Sequence, residues 1–170
     1  LKLNLLIRLL RNEDIQPIAA AFAAIGWDKP AAQYERYLAE QTAGERTVLV
    51  AFMAGEFAGY VTVCWQPDYP PFRAENTPEI QDFNVLPRFR RQGIGARLMD
   101  EAESAVSARY PVVGIGVGLY ADYGSAQRMY VKRGYIPDGR GVYYRDHFVQ
   151  PGEAVSVDDD LVLYFTRQLR

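Results

Sequence analysis

The chain is poor in the residues that most often announce a chemical site. It has one cysteine, Cys64, and one histidine, His147. A lone thiol excludes an internal disulfide and a cysteine-built metal cluster, and a lone imidazole leaves too little for a zinc site, so no metal is expected. Long apolar runs are also missing: no stretch approaches the ~20 residues of a membrane span. The Leu-rich start, residues 1–10, is broken by Lys2, Asn4 and Arg8 and has no small-residue cleavage site, so it reads as a first strand and not a signal peptide. Neither sign of charge dominates. Nineteen basic against 21 acidic residues leave a net charge of −2, which argues against a generally basic nucleic-acid binder. Repeats, low-complexity tracts and linkers are absent. The expectation is one domain over residues 1–170, cytoplasmic by default, with no nucleic-acid or membrane partner.

What is present is regular patterning. Leu5 to Leu10 reads as a strand, and Ile15, Ile18, Phe22 and Ile25 fall at helical spacing over 13–25, with Pro17 confined to the first turn. A second helix is expected over 30–43. The β-rich runs 47–53 and 57–65 flank Ala54-Gly55-Glu56 and read as an antiparallel hairpin. A proline-rich loop over 66–78 is long enough to serve as a lid. Then come a strand over 79–86, a turn over 87–93, a helix over 93–109, a strand over 112–120, a helix over 124–133, and strands over 141–148 and 161–169. In the 112–120 strand Gly114, Gly116 and Gly118 share one face, so something else must approach that face closely. Antiparallel strands followed by two βα units give an α+β class, with a mixed, largely antiparallel central sheet and helices on both faces.

The chemistry centres on Arg90-Arg91-Gln92-Gly93-Ile94-Gly95-Ala96, a glycine-rich turn between a strand and an amphipathic helix. Free N–H groups and the positive helix end converge there, the glycines let a bulky anion approach, and Arg90, Arg91 and Arg97 add charge. A dinucleotide fingerprint fails at Leu98, and a Walker-type loop fails at Ala96-Arg97. Arg90-x-x-Gly93-x-Gly95 resembles the acetyl-coenzyme-A-binding motif of the GNAT superfamily of N-acetyltransferases. Ala126 to Tyr135, with Tyr130, Gly134 and an aromatic, resembles that superfamily's second motif, and the predicted order of elements resembles its fold.

The resemblance implies acetyl-CoA as co-substrate, with no metal, and a small-molecule or peptide amine as acceptor. It implies that the N–H groups of Arg91, Gln92, Gly93, Ile94, Gly95 and Ala96 hold the pyrophosphate. The main chain of Phe83, Asn84 and Val85 would bond the pantetheine arm, with a Val85 N–H steadying the developing oxyanion. It also implies that Tyr130 protonates the leaving thiolate, where the plainer reading is a tyrosine packed on the inner helix face. Tyr123 stands where relatives carry an asparagine, and the Gly124-Ser125 turn offers backbone donors instead.

For the general base, Glu79 and Asp82 are the candidates beside an ordered water. Strand alternation puts them on opposite faces, so only one can face a cleft unless a bulge intervenes. The glycine-rich strand excludes a base of its own. The acceptor wall draws on Trp27, Trp65, Tyr69, Phe72, Tyr143, Tyr144 and Phe148, and Asp158 to Asp160 either attract a cationic amine or form a solvated turn. The alternative of another class is a non-catalytic acyl-CoA-binding module. The terminal β-hairpin offers an edge for a homodimer.

Overall fold

A computed structural model describes residues 4–170; residues 1–3, the start of the Leu-rich stretch, lie outside the described residues. The elements are β1 (Leu5–Leu9), α1 (Ile15–Ala23), α2 (Ala31–Thr42), β2 (Arg46–Met53), β3 (Glu56–Cys64), α3 (Pro70–Ala74), β4 (Glu79–Val85), α4 (Ile94–Ser107), β5 (Val112–Gly118), α5 (Gly124–Lys132), β6 (Ile136–Tyr144), β7 (His147–Phe148) and β8 (Leu161–Gln168). They build one eight-stranded sheet in the order β1-β2-β3-β4-β5-β8-β6-β7. The β4–β5 pair is parallel and the others are antiparallel.

Each sheet face carries its own core, as an alternating strand pattern requires. On one face Ile94, Leu98, Met99, Ala102 and Val106 of α4 pack against Val61, Val63, Ile80, Val113, Ile115 and Val117. On the other, Ile15, Ile18, Phe22, Tyr34 and Tyr37 of the first two helices cover Val48, Val50, Phe57 and Tyr60. The β2–β3 hairpin turns through Ala54 and Gly55, both at positive φ (50° and 85°), the geometry that matches the twist of paired strands.

Several sequence expectations are corrected. The last strands begin earlier than 141: β6 starts at Ile136, pairs through Pro137 with Phe165, slips register, and resumes at Val142 opposite Leu163. Gly139 and Gly141, both at positive φ, allow the slip, and a tight turn at Arg145-Asp146 sets off β7 as a separate strand. The chain's last strand is internal, between β5 and β6, so the free edge on that side belongs to β6 and β7. The proline-rich loop is packed and not a lid. It contains α3, and Tyr69 and Phe72 are 3% and 1% exposed, with Tyr69 stacked on Tyr164 at 3.6 Å between ring centroids.

The same packing explains the three glycines of β5. A methyl group at Gly114 would lie 2.2 Å from the Phe72 ring, at Gly118 2.3 Å from the Tyr123 ring, and at Gly116 2.9 Å from Tyr164 and Val162. What approaches the bare strand face is the chain's own aromatic side chains. Gly114→Ala is therefore expected to displace the buried Phe72 ring and cost about 1–3 kcal/mol, which a thermal melt will show as a lower midpoint.

Candidate active site

The site originates in the divergence of β4 and β5. They pair only at Glu79–Gly114 and Ile80–Ile115, while β5 remains paired with β8 along its whole length. Beyond Ile80 the β5-facing edge of β4 has no strand partner among the described residues, and a cleft of about 490 Å³ opens. It is lined by Glu79, Asp82, Phe83 and Asn84 of β4, Gly116 and Gly118 of β5, Lys29, Tyr123, Tyr130, Asp159 and Tyr164.

A bulge in β4 decides which acids face this cleft. Thr62 pairs with Gln81 and Tyr60 with Asn84, so two residues, Asp82 and Phe83, stand opposite Val61 alone. Asp82 takes the left-handed conformation (φ 49°), which Asp tolerates better than bulky residues. The extra residue turns Asp82 onto the α1/α2 face that already holds Glu79 and Gln81, while Phe83 packs toward α4, its ring tip 3.0 Å from a methyl built on Gly95. Simple alternation would have separated Glu79 from Asp82, and the bulge removes that separation. Gly59 on β3 accommodates it, since any side chain there would meet the Asn84 carbonyl at 2.4 Å.

The two carboxyls have opposite surroundings. Asp82 accepts five hydrogen bonds: Lys29 Nζ (2.9 Å) and Asn84 Nδ2 (2.8 Å) on Oδ1, and Gln33 Nε2 (2.8 Å), Tyr37 Oη (2.9 Å) and Tyr60 Oη (2.5 Å) on Oδ2. Burial works against its charge, but Lys29 and the hydroxyl donors outweigh it and hold its pKa below the usual aspartate value. Glu79 is 6% exposed and takes one side-chain hydrogen bond, from Gln81 Nε2 at 2.9 Å. Burial pushes its pKa up to about 7. The surroundings thus drive the two carboxyls in opposite directions.

Tyr130 projects from α5 into the same cleft, 5% exposed, and burial raises its phenol pKa well above the ordinary value. Among the described residues its hydroxyl makes no side-chain hydrogen bond, and it is not sealed from the cleft. The helix is fixed from behind. Arg133 donates to Glu103 (2.9 and 2.6 Å) and Asp100 (2.6 Å), and Glu103 also accepts from Tyr135 Oη (2.9 Å) and Arg167 (2.6 Å). Gly134 at φ 91° closes the helix, with the Tyr135 N–H donating to the Tyr130 carbonyl.

The glycine turn leads into α4 at the other end of β4. Arg91 and Gly93 both take positive φ (59° and 78°), and among the described residues no side chain caps the helix, which leaves its first N–H groups available to an anion. Arg90, Arg91, Gln92, Gly93, Ala96 and Arg97 are exposed, whereas the Ile94 side chain is buried, leaving only its main chain available. Gly95 would meet Phe83, Val85 and Met129 if it carried a side chain, so the turn, the end of β4 and α5 converge there. Two of the arginines have partners at the turn: Arg88 pairs with Glu56 at 2.8 Å, and Arg90 donates to the Val85 carbonyl at 3.1 Å. Ser125 is exposed in the first turn of α5.

At the rim, Tyr123 fills the asparagine position, covers Gly118 and donates to Asp159 (2.8 Å), which Tyr120 also bonds. Of the expected acceptor aromatics, Tyr143 and Phe148 join Tyr69 and Phe72 in the cluster behind Tyr164, while Trp65 packs against Tyr110 away from the cleft. Sequence reasoning missed Lys29, Gln81 and Tyr164. Lys29 had one signal, its place in the short Gly-Trp-Asp-Lys-Pro segment before α2.

Comparison with known proteins agrees with this architecture. The model of the acetyltransferase (GNAT) family matches residues 12–135. An uncharacterized N-acetyltransferase of Archaeoglobus fulgidus is 39% identical over 72 residues, which is 42% of this chain and about half (48%) of that relative's length. An N-acetyltransferase structure from Staphylococcus aureus Mu50 superposes with a TM-score of 0.70 at 17% identity, over 98% of this chain and 99% of that one. A Salmonella typhimurium protein described as an acetyltransferase, solved with its cofactor acetyl-CoA, gives a TM-score of 0.67 at 19% identity, over 98% and 94% of the two chains. The divergent β4–β5 pair, the glycine turn and the family match over most of the chain lead to one conclusion: the chain belongs to the GNAT acetyltransferase family.

Proposed function

We propose that the chain is an acetyl-CoA-dependent N-acetyltransferase that moves the acetyl group to a primary amine by direct attack in a ternary complex. It works as one domain over residues 1–170, in the cytoplasm, with a small-molecule or peptide acceptor and without nucleic-acid or membrane partners. The observation that carries this reading is that one cleft brings together a buried carboxyl, Glu79, a buried phenol, Tyr130, and the diverging edge of β4, whose far end meets the first turn of α4 at Gly95.

The residues present fit acetyl-CoA. The unpaired edge of β4 over Phe83 to Val85 suits an extended pantetheine arm, and the N–H groups of Arg91 to Ala96, with Arg90 and Arg97 beside them, suit its phosphates. Ser125 and its turn stand in for the missing asparagine. Acetyl-CoA supplies the acyl group, already activated as a thioester. Glu79 receives the proton that an ammonium acceptor must lose, and its pKa near 7 suits that task at neutral pH. Asp82 stays ionised and holds Lys29, α2 and the bulge together instead of acting as the base. Tyr130 donates the proton of its hydroxyl at the sulfur side. The unpaired edges at β1 and β7 leave room for the homodimer we propose.

The test is thiol release from acetyl-CoA across a panel of amines, for the wild type and Tyr130→Phe. Amine-dependent release is expected, with turnover lower by about a hundredfold in the variant and coenzyme A affinity unchanged. Coenzyme A binding with no release for any amine favours the non-catalytic acyl-CoA-binding module instead.

A further inference from the structure

We propose that Arg46 and Gln81 act as a positioning pair that orients the Glu79 carboxyl and carries the Arg46 charge to it from outside the cleft. This rests on the reading of Glu79 as the base. The geometry is a short chain of hydrogen bonds along one sheet face: Arg46 Nη1 donates to Gln81 Oε1 at 3.0 Å, and Gln81 Nε2 donates to Glu79 Oε2 at 2.9 Å. Arginine has donors and no acceptor, so the Gln81 amide can meet it only with its oxygen. That leaves the Gln81 NH₂ facing Glu79. The amide therefore has one permitted orientation, and its donor end points at the carboxyl.

Arg46 does not line the cleft, yet it is held firmly. It donates to Glu40 at 2.5 Å and Thr62 Oγ1 at 2.8 Å, and its guanidinium lies 4.7 Å from the Tyr37 ring centroid. Thr62 in turn donates to the Gln81 carbonyl at 3.0 Å, fixing the main chain from which the amide projects. The groups facing Glu79 come from every neighbouring element. They are Arg46 on β2, Cys64 opposite it on β3, Asp68 on the following loop, Gly114 with no side chain on β5, and Tyr164 on β8. Arg46 is the cation in this set, and Asp68 opposes it. A neutral residue at 81 matters for the same reason, because a second carboxylate there would face Glu79 directly.

The test uses Gln81→Met, which keeps the length and removes the donor, and Arg46→Met, with Arg46→Lys as the conservative variant. Two readouts apply: the ascending limb of kcat/KM against pH, and the Glu79 side-chain carboxyl followed by ¹³C NMR through the same range. Gln81→Met and Arg46→Met are each expected to move both upward by about one pH unit, a loss of about tenfold in kcat/KM below the limb. Activity should recover above it, and Arg46→Lys should lie between. Gln81→Met retains the Arg46 contacts to Glu40 and Thr62, so it carries the test if Arg46→Met does not fold. An unmoved Glu79 titration in folded Gln81→Met overturns the proposal, whatever the kinetics do. A shifted Glu79 titration with an unmoved kinetic limb upholds the positioning pair and removes Glu79 as the base.

Discussion

Glu79→Gln is expected to lose activity and gain stability in the same protein. In the proposed role of base, Glu79 should be worth about 10²–10³ in kcat/KM at neutral pH, within the usual range for a positioned proton acceptor. The variant should also lose the ascending limb near pH 7. The stability effect follows from burial. The folded state raises the Glu79 pKa from 4.5 to about 7, so its contribution is fully present below the unfolded value and is lost as pH rises through 7. Above that range the buried carboxylate costs about 3 kcal/mol. Glutamine keeps the shape, accepts the Gln81 hydrogen bond and never ionises. At pH 8 its melting temperature should exceed that of the wild type by about 5–10 °C, with the gap closing below pH 5. Calorimetry across pH checks this directly. Equal stability of the two proteins at pH 8 would mean that the carboxyl is solvated in the folded protein and carries no burial cost.

Asp82→Ala should be the most destabilising single change at the site. It removes the acceptor of five donors drawn from four elements: Lys29 before α2, Gln33 and Tyr37 on α2, Tyr60 on β3, and Asn84 on β4. Leaving a partly buried ammonium and several amide and hydroxyl donors unpaired costs about 3–5 kcal/mol. A left-handed alanine adds strain that asparagine avoids, so Asp82→Asn should lose less. Because the folded pKa is depressed, this stabilisation is present above the ordinary aspartate range and is lost as pH falls through the folded value. Urea denaturation at neutral pH measures the loss. A change within about 0.5 kcal/mol, typical of surface sites, would show that the cluster is ornamental to the fold.

Much of this was legible in the sequence, and the particular residues show why the rest was not. The glycine turn and Tyr130 stand out because their chemistry is local: helix-start donors and a helical stripe can be read within one segment. The face occupied by Asp82 could not be read that way. Period-two alternation separates it from Glu79, and nothing in Gln81-Asp82-Phe83 announces that β4 carries an extra residue opposite Val61 of β3. The glycines of β5 correctly signalled a close neighbour, but the rings come from three places: Phe72 from a loop about 40 residues earlier, Tyr164 from β8 and Tyr123 from just past the strand. Glu103 was equally hidden. It sits on the buried side of α4 because Arg133, Arg167 and Tyr135 surround it, a charge cluster assembled from three distant segments.

The most direct test of the account is an initial-rate measurement of thiol release with acetyl-CoA and an accepted amine both varied. Direct attack in a ternary complex predicts intersecting double-reciprocal lines and negligible release without amine, since the base and the phenol then act on two substrates held in one cleft. Parallel lines, or release that does not depend on the amine, would place the acetyl group on the protein first and contradict the assignment of Glu79 and Tyr130.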